Sequence, residues 1–299
     1  MSKKNMLRLA ALTAAAALAL TACGDDAADP GTGNGGEGTL RSGTKYDQPG
    51  LGLDEGGTMS GFDVDVAKAV AEKLGYSEDQ IEWSESPTPQ RESMLETGQV
   101  DMIFATYSIT DTRKEKVQFA GPYLVAGQDL LVKADDDSIT GPQDLEGKLL
   151  CSVSGSTPAE RVAEDYPGVQ RQEYDTYSLC VEALAGGRVD ALTTDDTILA
   201  GYAAQEQWAG QFKVVGAPFR EELYGVGIPK ESDMCEQVNE ALTELYEDGT
   251  MDEIIDKNFG PAGYTPAPGT NPPTPGGHCG CRSPTVAGPA WRGPPPAGW

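Results

Sequence analysis

The chain has 299 residues and a formal net charge of -25, from 22 Lys and Arg against 47 Asp and Glu. That length accommodates two domains of ordinary size, and that charge excludes nucleic acid as a partner, because phosphates are bound by Lys and Arg. The overall field repels anions, so an anionic ligand would need its own local Arg or Lys.

In chain order, residues 1–22 read as an export signal. Lys3, Lys4 and Arg8 make a basic start, and residues 9–20 are an apolar stretch too short to span a bilayer. The stretch ends in Leu20-Thr21-Ala22-Cys23, which resembles a bacterial lipoprotein signal with Cys23 lipidated after cleavage. An ordinary secretory signal with a coincidental Cys is the alternative. Residues 23–38, rich in Gly, Asp and Ala, read as a flexible tether. The mature protein is then expected on the outer face of the cytoplasmic membrane, attached to it by lipid.

Residues 41–46 read as a strand. Phe62, Val66, Val70 and Leu74 recur at four-residue spacing and predict a helix, with Asp63 and Asp65 at its positive end and Gly75 as its stop. A strand is expected at 81–84, a helix at 90–97 and a strand at 102–107. After a hinge strand at 130–132, the strand at 149–153 meets the turn Ser154-Gly155-Ser156. Thr157 and Glu160 then read as a capping box, with Pro158 at the first helical position. The free N–H groups of such a helix start favour an anion. A helix at 178–184, a strand at 189–192, a helix at 197–205 and strands at 212–215 and 224–228 follow. Met234, Val238, Leu242 and Leu245 mark an amphipathic helix capped by Ser232 and stopped by Gly249, and 251–257 a last short one.

One phrase occurs twice in this run. Leu95-Glu96-Thr97-Gly98-Gln99-Val100-Asp101 and Leu184-Ala185-Gly186-Gly187-Arg188-Val189-Asp190 each read as a helix end, a glycine stop and a Val-Asp pair entering an apolar strand. Each strand then enters a polar loop. The repetition indicates two α/β lobes of like design with a ligand cleft between them, and the Val-Asp residues read as scaffold.

The body holds Cys151, Cys180 and Cys235, which allow three pairs. Cys151 with Cys180 is expected, since both fall in the second lobe; closing that loop stabilises by about 3–4 kcal/mol. Buried free thiols are the alternative, and the state of Cys235 stays open. The only histidine, His278, lies near the C-terminus, so the body has no Ser-His or Cys-His nucleophile and no His-ligated metal. From Pro261 onward Pro and Gly dominate without a hydrophobic period, and 263–299 are expected to be disordered. His278, Cys279, Cys281, Arg282 and Arg292 contrast with the acidic body, as a shifted reading frame, a wall-spanning linker or a partner-binding tail would.

The segments GFDVDVAKAVAEKLG (61–75), SITDTRKEKVQFAGPY (108–123), SGST (154–157) and GRVDALTTDDTIL (187–199) occur in this order. Together they resemble the polar amino-acid group of ABC-transporter solute-binding proteins (extracellular family 3). Residues 46–52, Tyr-Asp-Gln-Pro-Gly-Leu-Gly, resemble its glutamate-binding branch. The likeness spans about 40–259. It implies an α/β, two-lobe periplasmic-binding-protein-like (type II) fold, with 39–128 and 226–262 in lobe 1, 129–225 in lobe 2, and hinge crossings near Gln128 and Gly225.

The resemblance also implies roles. Arg113 matches the arginine that clamps the ligand α-carboxylate, a bidentate pairing Lys cannot copy. Ser108, Thr110, Ser156 and Thr157 would add backbone and hydroxyl groups. Asp195, with Thr194 beside it, matches the carboxylate that accepts the α-ammonium; Asp196 takes that place if the register slips by one. Lys45 and Arg91 stand where binders of acidic amino acids place cations, so L-glutamate is expected, with aspartate or glutamine weaker. The implied role is capture by a monomer and delivery to ABC permease subunits, without catalysis, metal or cofactor. A sensor docking on a membrane receptor and a dehydratase-like enzyme are the other readings.

Overall fold

The computed structural model of the chain describes residues 38–267 and 269–280. The expected signal peptide, the lipidation site Cys23, the tether up to residue 37 and the tail beyond residue 280 lie outside the described residues.

Strand β1 (Leu40–Thr44) leads into a small antiparallel sheet of β2 (Asp47–Gln48), β3 (Gly52–Asp54) and β4 (Met59–Ser60). Helix α1 (Phe62–Lys73) buries Phe62, Val66 and Val70 as its spacing predicts. The Phe62 ring packs 4.8 Å from that of Phe259 and 5.9 Å from that of Tyr123; each such buried side chain stabilises by about 1.5–3 kcal/mol. Gly75, at φ 87°, closes the helix by letting Tyr76 N–H return to Ala71 C=O.

Then come β5 (Ile81–Glu85), α2 (Arg91–Glu96) and β6 (Met102–Ile103). The last is shorter than the strand expected at 102–107. Thr106 adopts φ 46° and donates its N–H to Asp63 Oδ2 at 2.8 Å, which turns the chain out of the sheet.

After the short α3 (Asp111–Lys114), β7 (Val117–Lys133) runs for 17 residues from the first lobe into the second and absorbs the hinge strand expected at 130–132. The second lobe is built from β8 (Leu149–Val153), α4 (Thr157–Asp165), β9 (Gln170–Tyr174), α5 (Tyr177–Ala185), β10 (Ala191–Asp195), α6 (Asp196–Ala203) and β11 (Phe212–Val214). Strand β12 (Arg220–Pro229) returns antiparallel to β7, and α7 (Met234–Glu247) and α8 (Thr250–Phe259) complete the first lobe.

The capping expected at Thr157 is shifted by one. Ser156 is the cap, its Oγ accepting from Ala159 N–H at 3.3 Å, and Pro158 is the second helical residue. Thr157 is thereby released to point its hydroxyl elsewhere.

Pairing is continuous across both lobes in the order β5-β1-β6-β12-β7-β10-β8-β9, with β11 also on β7. β1 is parallel to β5 and β6, and β8 is parallel to β9 and β10. The antiparallel β7 and β12 join these two parallel halves. The carboxyl ends of β6 and β10 thus meet at one crevice, where loops gather side chains from both lobes.

Cys151 and Cys180 form the expected disulfide, tying β8 to α5. Cys235 of α7 is bonded to Cys279. Residues 263–267 and 269–280 are therefore placed against the body, contrary to the expected disorder. A cross-link and backbone hydrogen bonds to β7 supply what the absent hydrophobic period does not.

Candidate functional site

Two glycine-ended helices aim the site's loops. Gly98 and Gly187 both take φ 67°, and Gln99 N–H and Arg188 N–H turn back to Met94 and Ala183 carbonyls at 2.9 Å each. The strand after the first leads to α3, which Thr110 caps by accepting Arg113 N–H at 3.2 Å. The strand after the second ends at Asp195.

Between the lobes lies a small, nearly filled crevice. Thr88, Arg91, Thr106, Ser108 and Arg113 line it from the first lobe, and Ser156, Thr157, Pro158, Tyr177, Asp195 and Ile198 from the second. Six of the sequence-derived candidates are therefore brought together: Arg91, Ser108, Arg113, Ser156, Thr157 and Asp195.

The other three stand outside the lining. Thr110 positions Arg113 through its cap. Thr194 is buried in β10. Lys45 is buried and pairs with Asp47 at 3.8 Å. Burial lowers the Lys45 pKa, Asp47 offsets part of that, and the charge of Arg91 lowers it further.

The first lobe presents cations. Arg113 Nη1 donates to Ser108 C=O at 2.8 Å, Nη2 reaches Gly155 C=O across the cleft at 3.2 Å, and Nε lies 3.4 Å from Glu92 Oε1. Arg91 Nη1 donates to Ala105 C=O at 2.7 Å. Both guanidinium groups sit over the Tyr107 ring, 4.2 Å (Arg91) and 5.0 Å (Arg113) from its centroid. Burial, then the charge of Arg113, lowers the Arg91 pKa to about 10, so it stays charged at neutral pH.

The second lobe presents an anion. Asp195 Oδ2 accepts from Tyr224 Oη at 2.6 Å, while Oδ1 has no hydrogen-bond partner among the described residues. Burial and the neighbouring Glu222 push the Asp195 pKa well up, and the Tyr224 bond pulls it partly back. A cation beside Oδ1 would restore its charge. Asp196 faces away from this space, accepting from Gly127 N–H at 3.1 Å and Thr197 N–H at 2.8 Å. The geometry thus separates the two carboxylates that the sequence left as alternatives.

The lobes also touch directly. Thr157 Oγ1 donates to Ser108 Oγ at 3.0 Å. Tyr202 Oη donates to Asp47, and a Cβ built on Gly201 would lie 2.1 Å from Pro49 C=O.

Sequence reasoning missed Thr88, Thr106, Pro158, Tyr177 and Ile198 in the lining, and Glu222 and Tyr224 behind it. Glu222 is fully buried, 2.6 Å from Arg161 Nη1. The only available signal was the position of Glu222 and Tyr224 in a predicted or adjoining strand, which does not reveal what they face. Among the described residues no cluster of three or more His, Cys, Asp or Glu could hold a metal ion, and no helix is long and apolar enough to cross a membrane.

The chain as a whole is similar to known proteins. Glutamate-binding protein GluB of Corynebacterium glutamicum is 50% identical over 275 residues, covering 87% of this chain and 92% of that protein. Among solved structures, an ancestral arginine-binding protein bound to glutamine superposes with a TM-score of 0.69 at 39% identity, covering 75% of this chain and 98% of that one. The GluR0 ligand-binding core from Nostoc punctiforme, in complex with L-glutamate, has a TM-score of 0.66 at 28% identity, covering 74% and 99%. The sequence profile of the bacterial extracellular solute-binding proteins, family 3, matches residues 40–261, and the chain belongs to that family.

Proposed function

We propose that this protein captures L-glutamate between its lobes and releases it unaltered to a membrane permease of the ABC type. The observation that carries this reading is the pairing of buried, opposite charges in one small space: Arg113 from the first lobe and Asp195 from the second. A free amino acid carries the complementary pair. Arg113 would take the α-carboxylate in a bidentate pairing, with Ser108 and the N-terminus of α4 at Ser156 and Thr157 adding donors. Asp195 Oδ1 would take the α-ammonium.

The second cation decides the side chain. Arg91 lines the same space as Arg113, which favours a ligand with two carboxylates, and Lys45 would add positive field from behind it. The name of the Corynebacterium glutamicum relative agrees. Contacts from both lobes would favour the closed state, because only that state completes them. The protein would act as a monomer tethered by a lipid on Cys23 to the outer face of the cytoplasmic membrane, with 39–128 and 226–262 as one lobe and 129–225 as the other.

A thermal-shift screen of the twenty amino acids tests the ligand. A ligand at about a hundred times its Kd stabilises by about 2.7 kcal/mol, so L-glutamate should raise the midpoint by several degrees, and aspartate or glutamine by less. No shift with any amino acid would defeat the reading.

A further inference from the structure

Strand β7 passes from one lobe to the other, and among the described residues one of its edges has no strand beside it over its first half. β12 pairs along one side from Val117 to Gln128, whereas on the other side β10 pairs only from Gln128 to Leu131. An open edge presents unpaired backbone groups. Here α7 covers part of that edge, Asn239 Oδ1 accepting Gly121 N–H at 2.8 Å and Tyr246 Oη donating to Tyr123 C=O at 2.7 Å, and the segment that follows α8 covers more. Phe119 N–H donates to His278 C=O at 3.2 Å, and Gly276 N–H to Gly121 C=O at 2.8 Å. The Asn271 side chain takes both groups of Val125, accepting its N–H at 3.0 Å and donating to its C=O at 2.9 Å. Gly280 N–H reaches Gln118 Oε1 at 2.9 Å.

The two ends of this segment are held by different lobes. Cys279 is cross-linked to Cys235 on α7 of the first lobe. Tyr264, whose ring packs 5.3 Å from that of Phe259 of the first lobe, donates its hydroxyl at 3.2 Å to Asp196 of the second. Asp196 also accepts Gly127 N–H, in the stretch of β7 where the chain changes lobes.

We propose that residues 263–267 and 269–280 form a strap that braces the hinge from behind the cleft, the disulfide holding it on the free edge of β7 and Tyr264 tying it to the second lobe in the closed form. The segment lies beyond the family match, which ends at residue 261. Its effect on affinity follows from population shift: a contact made only in the closed form adds to every ligand that closes the lobes.

The test uses the full chain, its Tyr264→Phe variant and the double variant Cys235→Ser/Cys279→Ser. Hydrogen exchange reads the edge, and calorimetry with L-glutamate reads closure; the second readout rests on the proposed ligand and the first does not. The double variant should exchange the Phe119 and Val125 amides about tenfold faster or more, with the amides of β1 and β8 unchanged. Tyr264→Phe, which keeps the ring on Phe259, should weaken L-glutamate by about three- to tenfold, the worth of one hydrogen bond.

Unchanged exchange in the double variant would overturn the strap. Faster exchange with unaltered affinity in Tyr264→Phe would overturn the bracing of the hinge and leave only a passive cover. If the parent protein bound no L-glutamate, the ligand reading would fail, and the strap would stand or fall on exchange alone.

Discussion

Asp101 and Asp190 play the same part in the two lobes. Asp101 accepts Arg41 N–H at 2.9 Å and returns its own N–H to Arg41 C=O at 2.8 Å. Asp190 accepts Leu149 N–H at 2.7 Å and returns its N–H to Leu149 C=O at 2.8 Å. Each aspartate thereby locks the start of its lobe's leading parallel strand, β1 or β8. Alanine at either position should cost about 0.5–1.5 kcal/mol in urea unfolding while leaving ligand affinity unchanged. A large loss of affinity at constant stability would make these residues part of the site and not of its scaffold.

Gly201 on α6 separates lobe stability from closure. Alanine is favoured over glycine inside a helix by about 1 kcal/mol, but its Cβ would fall 2.1 Å from Pro49 C=O of the facing lobe. Gly201→Ala should therefore melt no lower than the parent when free, yet bind L-glutamate at least about tenfold more weakly. Equal affinity in calorimetry would mean that the lobes do not meet there in the bound form.

Asp63 makes stability depend on pH in an uncommon direction. Burial raises its pKa from 3.8 to about 6, with the Tyr123 hydroxyl and Thr106 N–H pulling it only partway back. Between those values the folded protein binds more protons than the unfolded chain, so this group's contribution to stability falls as pH rises from about 4 to about 6 and levels off above. Its share is about 3 kcal/mol. Asp196, also raised to about 6 chiefly by burial, acts in the same sense. Denaturation series at several pH values should show Asp63→Asn losing less stability than the parent across that window; parallel curves would refute the assignment.

Arg91 and Lys45 bear on side-chain selectivity. Removing a charged hydrogen bond to a second carboxylate costs about 1.5–3 kcal/mol, so Arg91→Ala should lose at least about tenfold in L-glutamate affinity relative to L-glutamine. Lys45→Ala should shift the same ratio less, because Lys45 lies outside the lining. Taking the ratio of two ligands cancels any general loosening from the Arg91–Ala105 bond. An unchanged ratio in both variants would exclude a γ-carboxylate at this position.

The parts legible in the sequence are those set by local chemistry. Gly98 and Gly187 announce left-handed turns because other residues pay a steric penalty there, and the four-residue spacing of Phe62, Val66 and Val70 announces a buried helix face. Arg113 and Asp195 follow two like units that the same punctuation marks, but what singled them out was the family resemblance. What stayed hidden depends on distant partners. Thr106 leaves the sheet because Asp63 waits for its N–H, and Asp63 itself looked like an ordinary helix-start acid. Glu222 and Tyr224 gain meaning only when β12 crosses behind Asp195. Residues 263–267 and 269–280 lack every compositional sign of order, and their placement rests on a disulfide and on a strand edge that no local pattern reveals.

The most direct test of the Arg113–Asp195 pairing is calorimetry of the parent and Asp195→Asn with L-glutamate and with glutarate, the same dicarboxylate without its α-ammonium. If Asp195 holds the ammonium, the substitution should weaken L-glutamate by about thirtyfold or more and leave glutarate unchanged or slightly tighter. Loss of both ligands by the same factor, or of neither, would contradict it.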